Sequence, residues 1–206
     1  KRVGLVGTGT IGSAWAAHFL ARGLDVVAAD PDAKAEKRLR AVIDNVWPSL
    51  KQLGLAKDAR PDRLCFTTSI EEALNDADFI QESTPENNDV KDSVMATISQ
   101  AARPDVVIAS STSNIIPTRL QAQCRNPERM IVGQPFNPVY LIPLVEVVGG
   151  QQTAPETINW AMAFYKHWGK TPLHCRSEIT GHLANRLQDA IVNEAVRLVT
   201  DGIATT

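Results

Sequence analysis

The segment Arg2-Val-Gly-Leu-Val-Gly7-Thr8-Gly9-Thr10-Ile11-Gly12 constrains this chain more than any other. An apolar run that reads as a strand, Arg2–Gly7, passes through a GxGxxG pattern into the helical pattern Ser13–Ala21. In that setting Gly7 permits a tight turn, Gly9 lets the backbone approach a pyrophosphate, and Gly12 lets helix and strand pack closely. The helix N-terminus then faces the phosphates, with Thr8, Thr10 and Ile11 completing the loop. Asp30 stands eighteen positions after Gly12, at the end of the second strand-like run. A carboxylate there accepts hydrogen bonds from ribose hydroxyls and repels a 2′-phosphate. Pro31 and Asp32 follow where an arginine would favour the phosphorylated cofactor, so NAD is the expected cofactor, despite Lys34, Lys37 and Arg38 nearby. Asp32 also reads as a helix N-cap.

Beyond this loop, Asp25–Asp30, Leu64–Ser69, Ala77–Ser83, Val106–Ser111 and Met130–Gln134 read as further strands with helical patterns between them. Most are continuously apolar, which suits a parallel sheet covered on both faces. The expected fold class is therefore α/β, a Rossmann-type doubly wound, mostly parallel sheet. Leu144–Val148 and Thr171–Arg176 add strands, and Thr153-Ala-Pro-Glu156 has the spacing of a capping box opening a helix toward Trp168. From Thr180, apolar residues recur at helical spacing up to Val199, and Gly202 reads as the helix end. The expected division is a dinucleotide-binding domain over 1–178, then 179–206 as the first helix of an all-helical C-terminal domain. Its apolar face needs a partner, and a homodimer is expected.

A formal net charge of −2 gives no general attraction to nucleic acid or to an anionic membrane surface. Cys65, Cys124 and Cys175 are far apart and form no CxxC pair, which fits a reducing cytoplasm and no zinc site. The histidines at 18, 167, 174 and 182 lack ligand-like spacing and read as packed or solvated, so no metal is expected.

The stretch Val132-Gly-Gln134-Pro-Phe136-Asn137-Pro138-Val-Tyr140-Leu-Ile-Pro143-Leu-Val-Glu146-Val-Val resembles the signature of the 3-hydroxyacyl-CoA dehydrogenase family. Three more segments keep the family's order: Glu82-Ser-Thr-Pro-Glu86 with Lys91, Ala109-Ser-Ser-Thr-Ser113-Asn, and Gly181-His-Leu-Ala-Asn185-Arg-Leu. The resemblance implies NAD-dependent oxidation of a 3-hydroxyl, in which a histidine–glutamate pair takes the proton while hydride leaves for the nicotinamide. By position it implies that Glu146 orients the base, that Ser113 sits beside the reacting hydroxyl and that Asn185 helps hold the substrate oxygen. Glu86, Lys91 and Asn137 fall where the family lines its cofactor and nicotinamide cleft.

One position departs from the pattern. Gln134 occupies the place of the catalytic histidine, twelve residues before Glu146. An amide donates and accepts hydrogen bonds but takes up no proton near neutral pH, so it cannot be a general base. The expectation is an active-site variant with weak or changed activity, in which Gln134 keeps a hydrogen bond to Glu146. The substrate that the resemblance implies is a small hydroxy acid, with a carnitine-like molecule foremost and an acyl-CoA or gulonate next. A non-catalytic NAD-binding protein, as in the lambda-crystallin branch, is the alternative that Gln134 keeps open. A quaternary ammonium cannot be hydrogen-bonded, which makes the aromatic faces of Tyr140 and Phe136 its candidate contacts.

Overall fold

A computed structural model describes all residues, Lys1–Thr206. The order of elements is β1 (Arg2–Val6), α1 (Thr10–Ala21), β2 (Asp25–Ala29), α2 (Ala35–Leu53), β3 (Leu64–Thr67), α3 (Ile70–Leu74), β4 (Phe79–Glu82) and α4 (Asn88–Ala101). These are followed by β5 (Val107–Ser110), α5 (Pro117–Gln121), β6 (Met130–Pro135), β7 (Leu144–Gly149), α6 (Pro155–His167), β8 (Thr171–Cys175) and α7 (Ala184–Thr200). All eight strands join one sheet in the order β3-β2-β1-β4-β5-β6-β7-β8. Every pairing is parallel except the antiparallel β6–β7 pair. This is the doubly wound, mostly parallel sheet expected from the continuously apolar runs.

Burial explains the layers. Helix α1 is buried all round from Gly12 to Ala21, because it lies between the sheet and other helices. On α2 the buried stripe is Ala35, Leu39, Ile43, Val46, Trp47 and Leu50, and the last five join α1 and α6 in a core cluster of 29 buried residues. A second cluster of 13, with Leu74, Met95, Ile98 and Leu120, covers the opposite face. At its centre the first cluster is aromatic: Trp15 and Phe19, one helical turn apart, stack at 5.0 Å, and Phe79 meets Phe164 at 4.2 Å.

The strands β2 to β5 stop one or two residues short of the sequence expectation. Asp30, Ser83 and Ser111 each donate one more ladder-like N–H, to Thr67, Val6 and Glu82 respectively, and then turn away. Leaving the sheet there puts their side chains at the C-terminal edge, where doubly wound folds bind ligands. The capping box at 153–156 does not form. Thr153 Oγ1 is taken by the Met130 carbonyl and the Gly150 N–H, and α6 starts instead on Pro155 at its first position. Asp32 precedes α2 by a short turn, accepting the Lys34 N–H at 2.9 Å and pairing with Arg38, and Lys34 is the N-cap.

The last helix also starts later than expected, at Ala184 and not Thr180, because Gly181 (φ 78°) and His182 (φ 47°) are left-handed and break the helical path. Gly202 (φ 71°) closes it as expected, with Ile203 N–H reaching back to the Leu198 carbonyl. No helix is long and apolar enough to cross a membrane.

Candidate active site

The crevice between β1 and β4 is where the strand order reverses, and the glycine loop lies across its mouth. A cavity of about 770 Å³ runs along Gly7–Ile11, past Asp30 and Pro31, to Ser83, Thr84 and Pro85. The three glycines have three different reasons to lack a side chain. A Cβ on Gly7 (φ 89°) would lie 2.7 Å from the Ser83 carbonyl oxygen, and one on Gly12 would run into the Gly7 carbonyl. One on Gly9 would meet nothing within 4 Å, so the space over Gly9 is open to a ligand. Gly9 is the N-cap of α1, and the first N–H bonded back into the helix is that of Ser13. The amides before it are free for phosphate oxygens.

Asp30 faces the loop directly. Its Oδ2 accepts the Thr8 N–H at 3.0 Å and the Thr8 hydroxyl at 2.8 Å, while Oδ1 accepts only the Asp32 N–H. Free lone pairs remain for ribose hydroxyls. The residues present therefore fit a dinucleotide without a 2′-phosphate.

Ser83, at the inner end of the cavity, links it to a second polar cluster: its hydroxyl bonds that of Ser111 at 2.9 Å. Ser111 also receives Gln81 Nε2 at 2.8 Å and Trp15 Nε1 at 3.3 Å, and Tyr165 holds the other end of the Gln81 amide at 2.6 Å. This half-buried network ties the loop after β5 to the sheet and to α1. Three successive carbonyls of that loop, those of Ser111, Thr112 and Ser113, then serve as acceptors. Gln134, with its nitrogen facing them, donates to Ser111 O at 2.7 Å and Thr112 O at 3.2 Å. His182 Nε2 approaches Thr112 O at 3.2 Å, and Asn185 Nδ2 donates to Ser113 O at 3.2 Å. Ser113, Gln134, Asn185 and the Gly181–Asn185 turn thus converge from β5, β6 and α7.

Glu146 lies opposite Gln134 in the antiparallel register, but the expected hydrogen bond between the two is not formed. Its Oε1 accepts the N–H groups of Leu183 (2.8 Å) and Ala184 (2.9 Å), with the Cys175 thiol at 3.8 Å. The free N–H groups at the start of α7 are the stronger attraction for a carboxylate, and two carbonyls hold the Gln134 amide. Glu146 Oε2 is buried without a partner. The Cys175 thiol is pushed up to about 11 by burial and then by the Glu146 charge.

Among the residues carried over from the family pattern, Glu86 is exposed and outside the cavity lining, accepting the Thr112 hydroxyl and the Asn114 N–H. Lys91 does not line the cavity. It is 1% exposed, and its ammonium is taken by both Glu82 oxygens, at 2.8 and 3.0 Å, and by the Thr84 carbonyl. A buried carboxylate needs a counter-ion more than an open cleft needs a cation, so the lysine is drawn inward. Asn137 is exposed, Phe136 is partly buried, and Tyr140 packs partly against the main core. Sequence reasoning missed His182 as a member of the cluster; its place between Gly181 and Asn185, inside a family segment, was the available signal.

The glycine loop, Asp30 and the crevice position define a nicotinamide-dinucleotide domain, and comparison with known proteins agrees. Residues 2–179 match the family described as "3-hydroxyacyl-CoA dehydrogenase, NAD binding domain", and the chain belongs to this family. Among curated relatives, L-carnitine dehydrogenase of Pseudomonas aeruginosa is 54% identical over 206 residues, covering 100% of this chain and 64% of that protein. L-carnitine dehydrogenase of Bacillus cereus is 50% identical, covering 100% and 63%. The chain thus spans less than two thirds of these relatives. Of solved structures, (S)-3-hydroxybutyryl-CoA dehydrogenase from Ralstonia eutropha superposes with a TM-score of 0.90 at 32% identity, over 98% of this chain and 72% of that one. An NAD+-dependent 5-formyl-3-hydroxy-2-methylpyridine 4-carboxylic acid 5-dehydrogenase gives 0.91 at 33%, over 98% and 66%.

Proposed function

We propose that in the full-length protein this domain, residues 1–178, holds NAD+ for oxidation of a 3-hydroxy acid, L-carnitine to 3-dehydrocarnitine. The helix beginning at Ala184 is the first of a helical substrate-binding part. The observation that carries the reading is the convergence of Ser113, Glu146 and Asn185 at the loop after β5, where Ser111, two residues before Ser113, bonds the cavity wall at Ser83. Bound NAD+ supplies the hydride acceptor. The chain supplies the cradle of Gly7–Gly12, the ribose contact at Asp30 and the polar cluster where the hydroxyl is placed, with Ser113 and Asn185 as its hydrogen-bonding groups. Tyr140, beside the cluster in sequence, offers an aromatic face to the trimethylammonium group. The relatives named as L-carnitine dehydrogenases support that substrate over an acyl-CoA.

The test is a panel with the full-length protein and NAD+, following NADH formation from L-carnitine, a 3-hydroxyacyl-CoA and L-gulonate. L-carnitine is expected to give the highest kcat/KM. Preference for either competitor would move the assignment to that substrate. No turnover with any of them, while NAD+ still binds, would favour a non-catalytic NAD-binding protein, the reading that Gln134 keeps open.

A further inference from the structure

Ser83 is half-buried, lines the cofactor cavity and also belongs to the polar network behind it, where its hydroxyl and that of Ser111 share one hydrogen bond. Which of the two serines donates is settled by the rest of the network. The Gly133 carbonyl only accepts, so the Gln81 atom 3.2 Å from it is Nε2, and Oε1 faces Tyr165. The Tyr165 phenol therefore donates to Oε1, at 2.6 Å; burial pushes it well above its usual pKa and keeps it a donor. The other hydrogen of the Gln81 amide goes to Ser111 Oγ at 2.8 Å. The Trp15 indole N–H, which can only donate, reaches the same oxygen at 3.3 Å.

Two donors fill both lone pairs of Ser111 Oγ, which leaves its own hydrogen for Ser83 Oγ, 2.9 Å away. Ser83 accepts that bond, and its own hydrogen has no acceptor in the chain. The neighbouring hydroxyls of the cavity differ: Thr84 gives its hydrogen to Glu82 at 2.6 Å, and Thr8 gives its own to Asp30 at 2.8 Å. Strand order indicates what meets the free hydrogen of Ser83. β2, β1 and β4 stand side by side, with about 4.8 Å between neighbours. Asp30 follows β2 at the adenosine ribose, the glycine loop follows β1 at the pyrophosphate, and Ser83 follows β4. A dinucleotide that continues in this direction brings its second ribose, the one that carries nicotinamide, over the end of β4.

We propose that Ser83 is a cofactor-binding residue whose hydroxyl, fixed as a donor by the network of Tyr165, Gln81, Trp15 and Ser111, donates to a hydroxyl oxygen of the nicotinamide-side ribose. The inference rests on the cofactor orientation proposed above, with Asp30 at the adenosine ribose. The other four are positioning residues that act through Ser83. Their arrangement ties the nicotinamide half of the cofactor to the loop that carries Ser111 and Ser113.

Truncated cofactors test this by calorimetry on the full-length protein, with NAD+, ADP-ribose and ADP as ligands. The first two carry the second ribose, and ADP lacks it. Ser83→Ala is expected to weaken NAD+ and ADP-ribose on the order of 10-fold and to leave ADP within about 2-fold of its affinity for the unaltered protein. Retained ADP binding also shows that the glycine loop is intact in the variant. An equal loss for ADP, or no loss for any of the three, would overturn the proposal. Ser111→Ala tests the ordering of the network. It is expected to weaken ADP-ribose by itself but to add nothing in the Ser83→Ala background, because it acts through Ser83. Losses that multiply in the double variant would make Ser111 an independent structural support and contradict its positioning role. Asp30→Ala is the control for orientation and is expected to weaken all three ligands. If it left ADP binding unchanged, the orientation would fall and the Ser83 assignment with it; if it behaved as expected while Ser83→Ala did not, only the Ser83 assignment would fall.

Discussion

At Asp30 a single carboxylate both shapes the phosphate loop, through Thr8, and keeps lone pairs for a ribose. Replacing it by Ala removes hydrogen bonds to a charged acceptor, worth about 1.5–3 kcal/mol, so NAD+ affinity is expected to fall on the order of 10–100-fold. NADP+ affinity should fall less or rise, since the repulsion of a 2′-phosphate goes with the charge, and titration of both cofactors measures the ratio. Lys170 makes a different residue-scale case. Its buried ammonium donates to the Val139 and Ile142 carbonyls and lies 5.0 Å from the Trp15 ring. Burial first, and the Arg22 charge second, pull it down to about 7 from 10.5. Between those two values the unfolded chain binds a proton that the folded chain lacks, so this residue makes stability rise with pH across that window. Below about 7 both states are charged and the whole penalty persists. Denaturant unfolding from pH 7 to 10 is expected to show the unaltered protein gaining a few kcal/mol at most relative to Lys170→Met. Parallel curves for the two proteins would contradict the assignment.

Among the elements, the β1–α1 junction tolerates the least change. Gly12→Ala would drive a methyl group into the Gly7 carbonyl, so calorimetry should find NAD+ binding abolished and the melting temperature lowered. This junction was legible in the sequence because its meaning is local: strand, glycines and helix are contiguous. The same holds for the strands β1 to β7, which follow short, mainly apolar runs, and for Gly202, whose φ of 71° suits its residue type. What could not be read depends on partners far along the chain. Thr153 fails as part of a capping box because Met130, 23 positions away, claims its hydroxyl. Glu146 leaves Gln134 for amides 37 and 38 positions on. Lys91 turns from the cleft to Glu82, a choice set by burial and not by spacing. His182 looked like any packed histidine because only the fold brings it to the carbonyl shared with Gln134.

On the scale of the whole molecule, α7 carries an uncovered apolar face. Leu187 (67% exposed), Ile191 (70%), Val192 (51%) and Val196 (59%) lie along it with no cover in this chain, an apolar strip that a stable protein buries. The full-length protein is expected to be a dimer by light scattering, with this helix covered; a stable monomer would contradict that. The cleft and the polar cluster lie on one edge of one sheet, joined through Ser83 and Ser111, a continuity suited to direct transfer between a bound substrate and the cofactor. The most direct test uses L-carnitine deuterated at C3, full-length protein and NAD+, with mass spectrometry of the reduced cofactor. One deuterium per molecule of reduced cofactor is the expected result; reduced cofactor without deuterium, or none formed while NAD+ binds, would contradict the account.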